Sequence, residues 1–452
     1  MRTDGPQHDF SGNLDAGALR ARVLEHVDHA AGRRRGQMNR HLLGVVAAGL
    51  TVALSAGGCG KGSSSSDDSD GKSIKFVAAI YDEKAQPYWD ALIKKFESKN
   101  SGYKVNLEMV DWTQMDAKVK TYVQTKQVPD VLNYNAFSDF ARDGLVYKAS
   151  EVVSPATLGD FTPTFVEQAK YNGEQYGIPF ISSARLLFYN KPLFAKAGIT
   201  GPPKTWNEVR ANAEKIKKAG AIGYGLPLGP EEAQVEFYSW AMNNGGGWVD
   251  ASGKWAINQK ANVDTLAFLK DLNKSGLTQP NPESTDRKTV FNQFAQGRIG
   301  MSIGGPFTKA GFIEPVTKNL DFGVAPLPSR SGNEHNTPGV MDVLVAFKKA
   351  GGKNKDAIKK FLDFVYQKEN TSKFLTTEGF LPVTRSAGDA LSADPYMKQF
   401  VDALPASRFA PTSNPAWSAV AGAVKQDLGA SVADDDPKKV LDKIQETAEK
   451  AG

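Results

Sequence analysis

The sequence predicts an α/β protein assembled from two strand–helix blocks that follow an export leader. Three observations carry that prediction. Apolar β-rich runs alternate with helix-period runs between Ile74 and Leu132, the pattern of a parallel sheet covered by helices. The alternation resumes near Leu186. Ahead of both lies a short apolar run with basic residues before it and a lone cysteine after it, which is the layout of a secretory signal and not of a fold element.

In the leader, Arg40 and His41 precede 15 uncharged residues (42–56), too short a run to span a bilayer comfortably. Ala56-Gly57-Gly58 then leads into Cys59, the only cysteine of the chain. Small residues before a lone cysteine resemble a bacterial lipobox, in which the thiol is acylated and the cysteine becomes the new N-terminus. Ala56 stands where the usual pattern has Leu. Residues 1–58 are therefore expected to be an export segment, with Met38 as an alternative start, and 59–73 a Ser/Asp/Gly-rich flexible tether. A plain export signal with an incidental cysteine is the competing reading.

Cleavage before Cys59 leaves about 390 residues, room for two domains. The formal net charge of the full chain is +5 and no basic tract stands out after Cys59, so nothing argues for nucleic acid as a partner. Of the five histidines, His8, His26, His29 and His41 fall in the leader and only His335 remains. That argues against a Ser-His-Asp triad or a multi-histidine metal site. It leaves open a carboxylate-only enzyme such as a glycosidase.

Ile74–Ile80 reads as a strand. Pro87 opens a helix with Trp89, Leu92, Ile93 and Phe96 on one face. Val105, Leu107 and Met109 alternate as a second strand, a helix covers about 113–125, and Asp130-Val131-Leu132 is a third strand. Ligands of such sheets sit beyond the carboxyl ends of the strands. That rule places Tyr81, Asp82, Trp112, Asn133, Tyr134 and Asn135 at a cleft. Further on, Thr205 and Glu208 have capping-box spacing. The segments 264–272, 287–296 and 299–303 read as helix, helix and strand. Thr337-Pro338-Gly339 marks a break before a strand at 343–347. Ile358, Phe361, Leu362 and Val365 share a helix face, and a last helix starts at Pro437 behind Asp436. Trp248 and Trp255 flank a turn in an expected hairpin, while Trp89 and Trp206 are assigned to structure.

Four stretches, in this order, resemble the family 1 extracellular solute-binding proteins of ABC importers, the maltose and oligosaccharide-binding group. They are Pro129-Asp130-Val131-Leu132 with Gly144-Leu145; Tyr176-Gly177-Ile178-Pro179 through Leu187–Lys191, Leu193-Phe194 and Ala197-Gly198 to Pro203-Lys204-Thr205-Trp206; Phe294–Met301 with Gly304-Gly305-Pro306-Phe307; and Gly379-Phe380-Leu381-Pro382. The resemblance spans nearly all of 74–450. It implies a two-lobed, type II periplasmic-binding-protein-like fold, each lobe a sheet flanked by helices, with a hinge between them. Lobe one would be 74–183 plus 343–385 and lobe two 186–338 plus 390–452, the chain crossing near 182–185, 339–342 and 385–390.

By the same resemblance the protein would be a lipid-anchored receptor on the outer face of the membrane. It would capture a sugar or oligosaccharide and deliver it to the transmembrane subunits of an ABC permease. It would act as a monomer, with no cofactor, no metal and no catalysis. Trp417 matches a sugar-stacking Trp of the family, or else belongs to the core of lobe two. Tyr134 falls at an aromatic platform beside Asn135, or in a solvated loop. Phe307, after Gly305, stands where the family usually has Trp. Ser183 and the stretch Glu236-Phe237-Tyr238 correspond to ligand-contacting segments. Asp342, a charge just before an apolar strand, needs a partner: a ligand hydroxyl, Arg185 or Arg385. Two other readings remain: a receptor for a different small solute on the same fold, and a surface carbohydrate-active enzyme.

Overall fold

A computed structural model describes residues 71–391 and 394–452. The export segment 1–58, Cys59 and nearly all of the tether lie outside the described residues. Twelve strands follow in chain order. They are β1 (Ser73–Ile80), β2 (Lys104–Asp111), β3 (Val131–Tyr134), β4 (Lys170–Tyr171), β5 (Glu174–Gln175) and β6 (Ile178–Ser183), then β7 (Leu186–Asn190), β8 (Ile222–Gly225), β9 (Ile299–Gly304), β10 (Phe322–Ala325), β11 (Thr337–Ala346) and β12 (Ser407–Phe409).

Two main sheets result. The first runs β12-β11-β3-β1-β2, with β6 also paired to β11. β1 is parallel to both β2 and β3, as the strand–helix alternation requires. β11 runs antiparallel to β3 and β6. The second sheet is β10-β7-β9-β8. The chain passes from the first to the second between Ser183 and Leu186, and returns between Ala325 and Thr337.

The helices form where the periodicity places them. Ala85–Lys99 buries Trp89, Leu92, Ile93 and Phe96 against the first sheet, where the Trp89 ring meets Phe76 edge-on at 4.7 Å. Lys355–Val365 buries Ile358, Phe361, Leu362 and Val365. Trp206–Lys218 begins with the expected capping box: Glu208 N–H donates to Thr205 Oγ1 at 3.2 Å and Thr205 N–H to Glu208 Oε2 at 3.0 Å. Trp206 itself is buried and stacks on Phe268 at 4.7 Å. Asp436 caps Pro437–Ala451.

Two expectations need correcting. Thr337-Pro338-Gly339 is not a break, because β11 runs unbroken from Thr337 to Ala346. Pro338 lies where β12 is the partner and ahead of the β6 pairing, which begins at Val340; a proline fits at such an edge because no ladder donor is missed there. The segment between Trp248 and Trp255 forms a turn with one bridge, Val249 to Trp255, and no paired strands.

Candidate ligand-binding cleft

The carboxyl ends of β1 and β3 open into a cavity of about 680 Å³. A second chamber of about 740 Å³ adjoins it. Asn135, Gln234, Val235, Val340 and Lys425 line both chambers, so they form one cleft. Their walls mix aromatic side chains with a few convergent polar and charged groups, the lining of a small-molecule site. Elements of both sheets contribute walls: Tyr81 and Trp112 follow β1 and β2, Ser183 ends β6, Arg185 lies between β6 and β7, and Phe307 follows β9.

The first chamber holds most of the charge. Tyr81 donates its phenol proton to Asp342 Oδ2 at 2.7 Å and sits 3.0 Å from Asn133 Oδ1. This resolves the partner of Asp342. Arg385 instead donates to the Gly159 carbonyl, and Arg185 reaches Ser183 Oγ at 2.5 Å and Glu232 Oε1 at 2.9 Å. Burial pushes the Asp342 carboxyl up to about 7, against the hydrogen bond from Tyr81. Tyr81 is raised well above its ordinary value by burial and by the Asp342 charge.

Glu231 and Glu232 stand between two arginines. Arg287 donates to Glu231 Oε1 at 2.7 Å and to Glu232 Oε2 at 2.5 Å. Both guanidinium groups lie over the Phe307 ring, at 5.1 and 5.3 Å from its centroid, and gain cation–π attraction there. Phe307 therefore orients the arginines as well as lining the chamber. Gly305 does not line the cleft but makes room for this arrangement: a Cβ there would fall 2.4 Å from the Phe307 ring and 2.9 Å from Arg185 Nη1.

On the opposite wall, Asp82 meets Lys84 Nζ at 3.2 Å, and Lys84 also donates to the Ala310 carbonyl at 2.8 Å. Beside Asp82 lies Glu378, the last residue of the helix Lys368–Glu378. It is buried, and its carboxyl has no partner but that of Asp82, with which it can share a proton. Burial, and next the neighbouring Asp82 carboxyl, push it up to about 8. Gly379 ends that helix with φ +74°, and a Cβ there would approach Phe307 Cα to 3.0 Å, so glycine permits both the left-handed cap and the close approach.

The second chamber is aromatic. Trp417, Trp248 and Tyr238 line it; the Trp248 ring lies 5.4 Å from that of Trp417 and 5.5 Å from that of Tyr238. Trp417 is the first residue of the helix Trp417–Asp427 and is only 5 % exposed. Tyr134 donates to Asp116 Oδ1 at 2.7 Å, and Lys425 binds Asp116 Oδ2 at 2.7 Å. Trp112, half-buried between the chambers, lies nearly parallel to Tyr134, with centroids 6.5 Å apart.

The structure thus brings Tyr81, Asp82, Trp112, Asn135, Ser183, Phe307 and Asp342 to the first chamber, and Tyr134, Asn135, Tyr238 and Trp417 to the second. It does not bring Glu236 or Phe237 into either. On the helix Ala233–Ala241, Gln234, Val235 and Tyr238 face the cleft, whereas Phe237 is fully buried. Glu236 accepts from Tyr224 at 2.6 Å and from Trp240 Nε1 at 3.1 Å. Sequence reasoning missed Glu231, Glu232, Arg287, Glu378, Gln234 and Lys425. For Glu378 a signal was available, since it immediately precedes the Gly379-Phe380-Leu381-Pro382 stretch.

Among the described residues no cluster of acidic, His or Cys side chains could hold a metal ion, and no helix is long and apolar enough to cross a membrane.

Two sheets with a charged-and-aromatic cleft walled by both define a solute-binding clamp. The chain belongs to the bacterial extracellular solute-binding proteins, whose family pattern matches residues 82–372. A protein of Brucella abortus (strain 2308) is 33% identical over 358 residues, covering 78% of this chain and 86% of that one. The sn-glycerol-3-phosphate-binding periplasmic protein of Rhizobium meliloti is 28% identical over 319 residues, covering 66% and 72%. Maltose-bound MalE3 of T. maritima superposes with a TM-score of 0.74 at 20% identity, covering 83% of this chain and 99% of the other, a likeness of the two-lobed fold.

Proposed function

We propose that the protein is the carbohydrate receptor of an ABC importer, gripping a sugar or oligosaccharide between lobes 74–183 plus 343–385 and 186–338 plus 390–452. The carrying observation is the pairing of the two chambers. Aromatic rings in one offer faces to the apolar side of a sugar ring, and buried carboxyl and amide groups in the other offer acceptors to its hydroxyls. The maltose-bound neighbour supports a sugar; the relative named for sn-glycerol-3-phosphate supports the alternative, a different small solute on the same fold. The family match and the sugar-bound neighbour are binding proteins, which puts the receptor reading ahead of a surface enzyme.

Titration calorimetry of the mature protein with a panel of mono- and oligosaccharides tests this. Binding by at least one member is expected, and heat from none of them would overturn the sugar reading. The lipobox-like Ala56-Gly57-Gly58-Cys59 supports a lipid anchor at Cys59. Wild type is expected to partition into detergent and Cys59→Ala into the aqueous phase; equal partitioning would remove the anchor.

A further inference from the structure

We propose that the solute is an amino sugar, its ammonium group taken by the buried carboxyls of Glu378 and Asp342. The inference rests on the sugar reading above and narrows it.

The argument begins with pairing. Each cation at the cleft already has an acid: Lys84 with Asp82, Arg185 with Glu232, Arg287 with Glu231, and Lys425 with Asp116. Among the described cleft residues this leaves Asp342 and Glu378 without a cation of their own. Asp342 has only the Tyr81 hydroxyl, at 2.7 Å. Glu378 is 1 % exposed, lines the first chamber and meets no donor except a proton shared with the Asp82 carboxyl. A buried carboxyl in that state either keeps its proton or meets a positive charge.

Both groups line the first chamber together with Tyr81, whose phenol feels the charge of each. Around Glu378 stand Asp82, Lys84, Tyr81 and Tyr88. Around Asp342 stand Tyr81, Glu232, Arg185 and Arg287. The only free lysine or arginine charge in these groups would be one released from an existing ion pair. The cleft is thus short of a cation by up to two charges and offers nothing unpaired to an anion. A ligand phosphate would need Arg185 or Arg287 to leave its glutamate, a cost a neutral or cationic ligand does not meet. An ammonium has three donors and no acceptor, which matches carboxyl oxygens that lack a cation.

The test compares matched ligands by calorimetry near pH 7: glucose with glucosamine, galactose with galactosamine, cellobiose with the chitosan disaccharide, and a hexose phosphate as the anion. The amine member of at least one pair is expected to bind about tenfold or more tighter, as a charge-assisted contact allows. It should release protons as the two carboxyls ionise, seen as a binding heat that changes with the ionisation enthalpy of the buffer. Glu378→Gln is expected to remove the preference. Equal affinity within every pair, tighter binding of the phosphate, or retention of the preference in Glu378→Gln would each overturn this inference while leaving the sugar reading intact. If Glu378→Gln does not fold, the buffer dependence of the wild type decides: an amine preference without proton release overturns the role of these carboxyls. Binding by no member would overturn the sugar reading and this inference with it.

Discussion

At the scale of single residues, the aromatic side chains separate by burial. Trp417 and Trp248 are 5 % and 2 % exposed and pack on each other at 5.4 Å, so Trp417 is a core ring that also lines the second chamber. Trp112 is half-buried and lies between the chambers, 6.1 Å from Tyr81. The two positions should respond differently. Trp417→Ala is expected to cost about 3–5 kcal/mol of stability, the scale of a deleted buried Trp, whatever it does to binding. Trp112→Ala is expected to weaken sugar binding by about 1–3 kcal/mol, the scale of a lost stacking face, with a small change in melting temperature. Calorimetry and thermal melts of the two variants, side by side, check this; unchanged affinity in Trp112→Ala would remove that ring from the site. Residue type and strand-end position were enough to point at Tyr81, Asp82 and Trp112. They were not enough for Glu231 and Glu232, which follow Gly229-Pro230 and look like an exposed acidic turn. Only their long-range pairing with Arg185 and Arg287 draws them inward.

At the scale of elements, legibility followed the range of the determining contacts. The capping box of Trp206–Lys218 is closed by residues three apart, so the sequence displays it whole. The parallel β1, β2 and β3 with their intervening helices are set by local periodicity and a chirality rule. β11 is different. Its Pro338 and Gly339 carry the local signature of a break, yet Thr337–Gly339 pairs with Ser407–Phe409, some seventy residues on in the chain. Gly339 is there because a Cβ would fall 2.6 Å from the Phe409 ring. The same limit applies to the helix Ala233–Ala241. Its spacing says that about half the residues face inward, but which half depends on Tyr224 and Trp248, which lie outside the helix and beyond the reach of its i, i+3, i+4 pattern.

At the scale of the whole molecule, three buried carboxyls bind protons more tightly in the folded chain than an exposed carboxyl does. Burial raises Glu236 and Asp342 to about 7 and Glu378 to about 8. Their protons are bound in both states at low pH, and between the ordinary carboxylate range and these raised values the unfolded chain has lost protons that the folded chain keeps. Folding therefore loses stability as pH rises through that window and reaches a constant deficit above about 8. Glu108 acts in the opposite sense, since Lys118, Tyr122 and Lys75 hold it down to about 2; its contribution is lost only as pH falls from the ordinary range toward that value. The windows do not overlap, so the unliganded protein is expected to be most stable in mildly acidic solution and to melt at progressively lower temperature from about pH 5 to pH 8. Glu236 separates this effect from ligand binding because it lies outside both chambers. Glu236→Gln keeps an acceptor for Tyr224 and removes the charge that burial opposes. It is expected to raise stability at pH 8 by on the order of 2 kcal/mol while changing little at pH 4, where the wild-type carboxyl is already protonated. Scanning calorimetry of the two proteins across this range checks the sign. A melting temperature that climbs with pH in the wild type, or a Gln variant that gains as much at pH 4 as at pH 8, would mean that Glu236 is not held protonated in the fold.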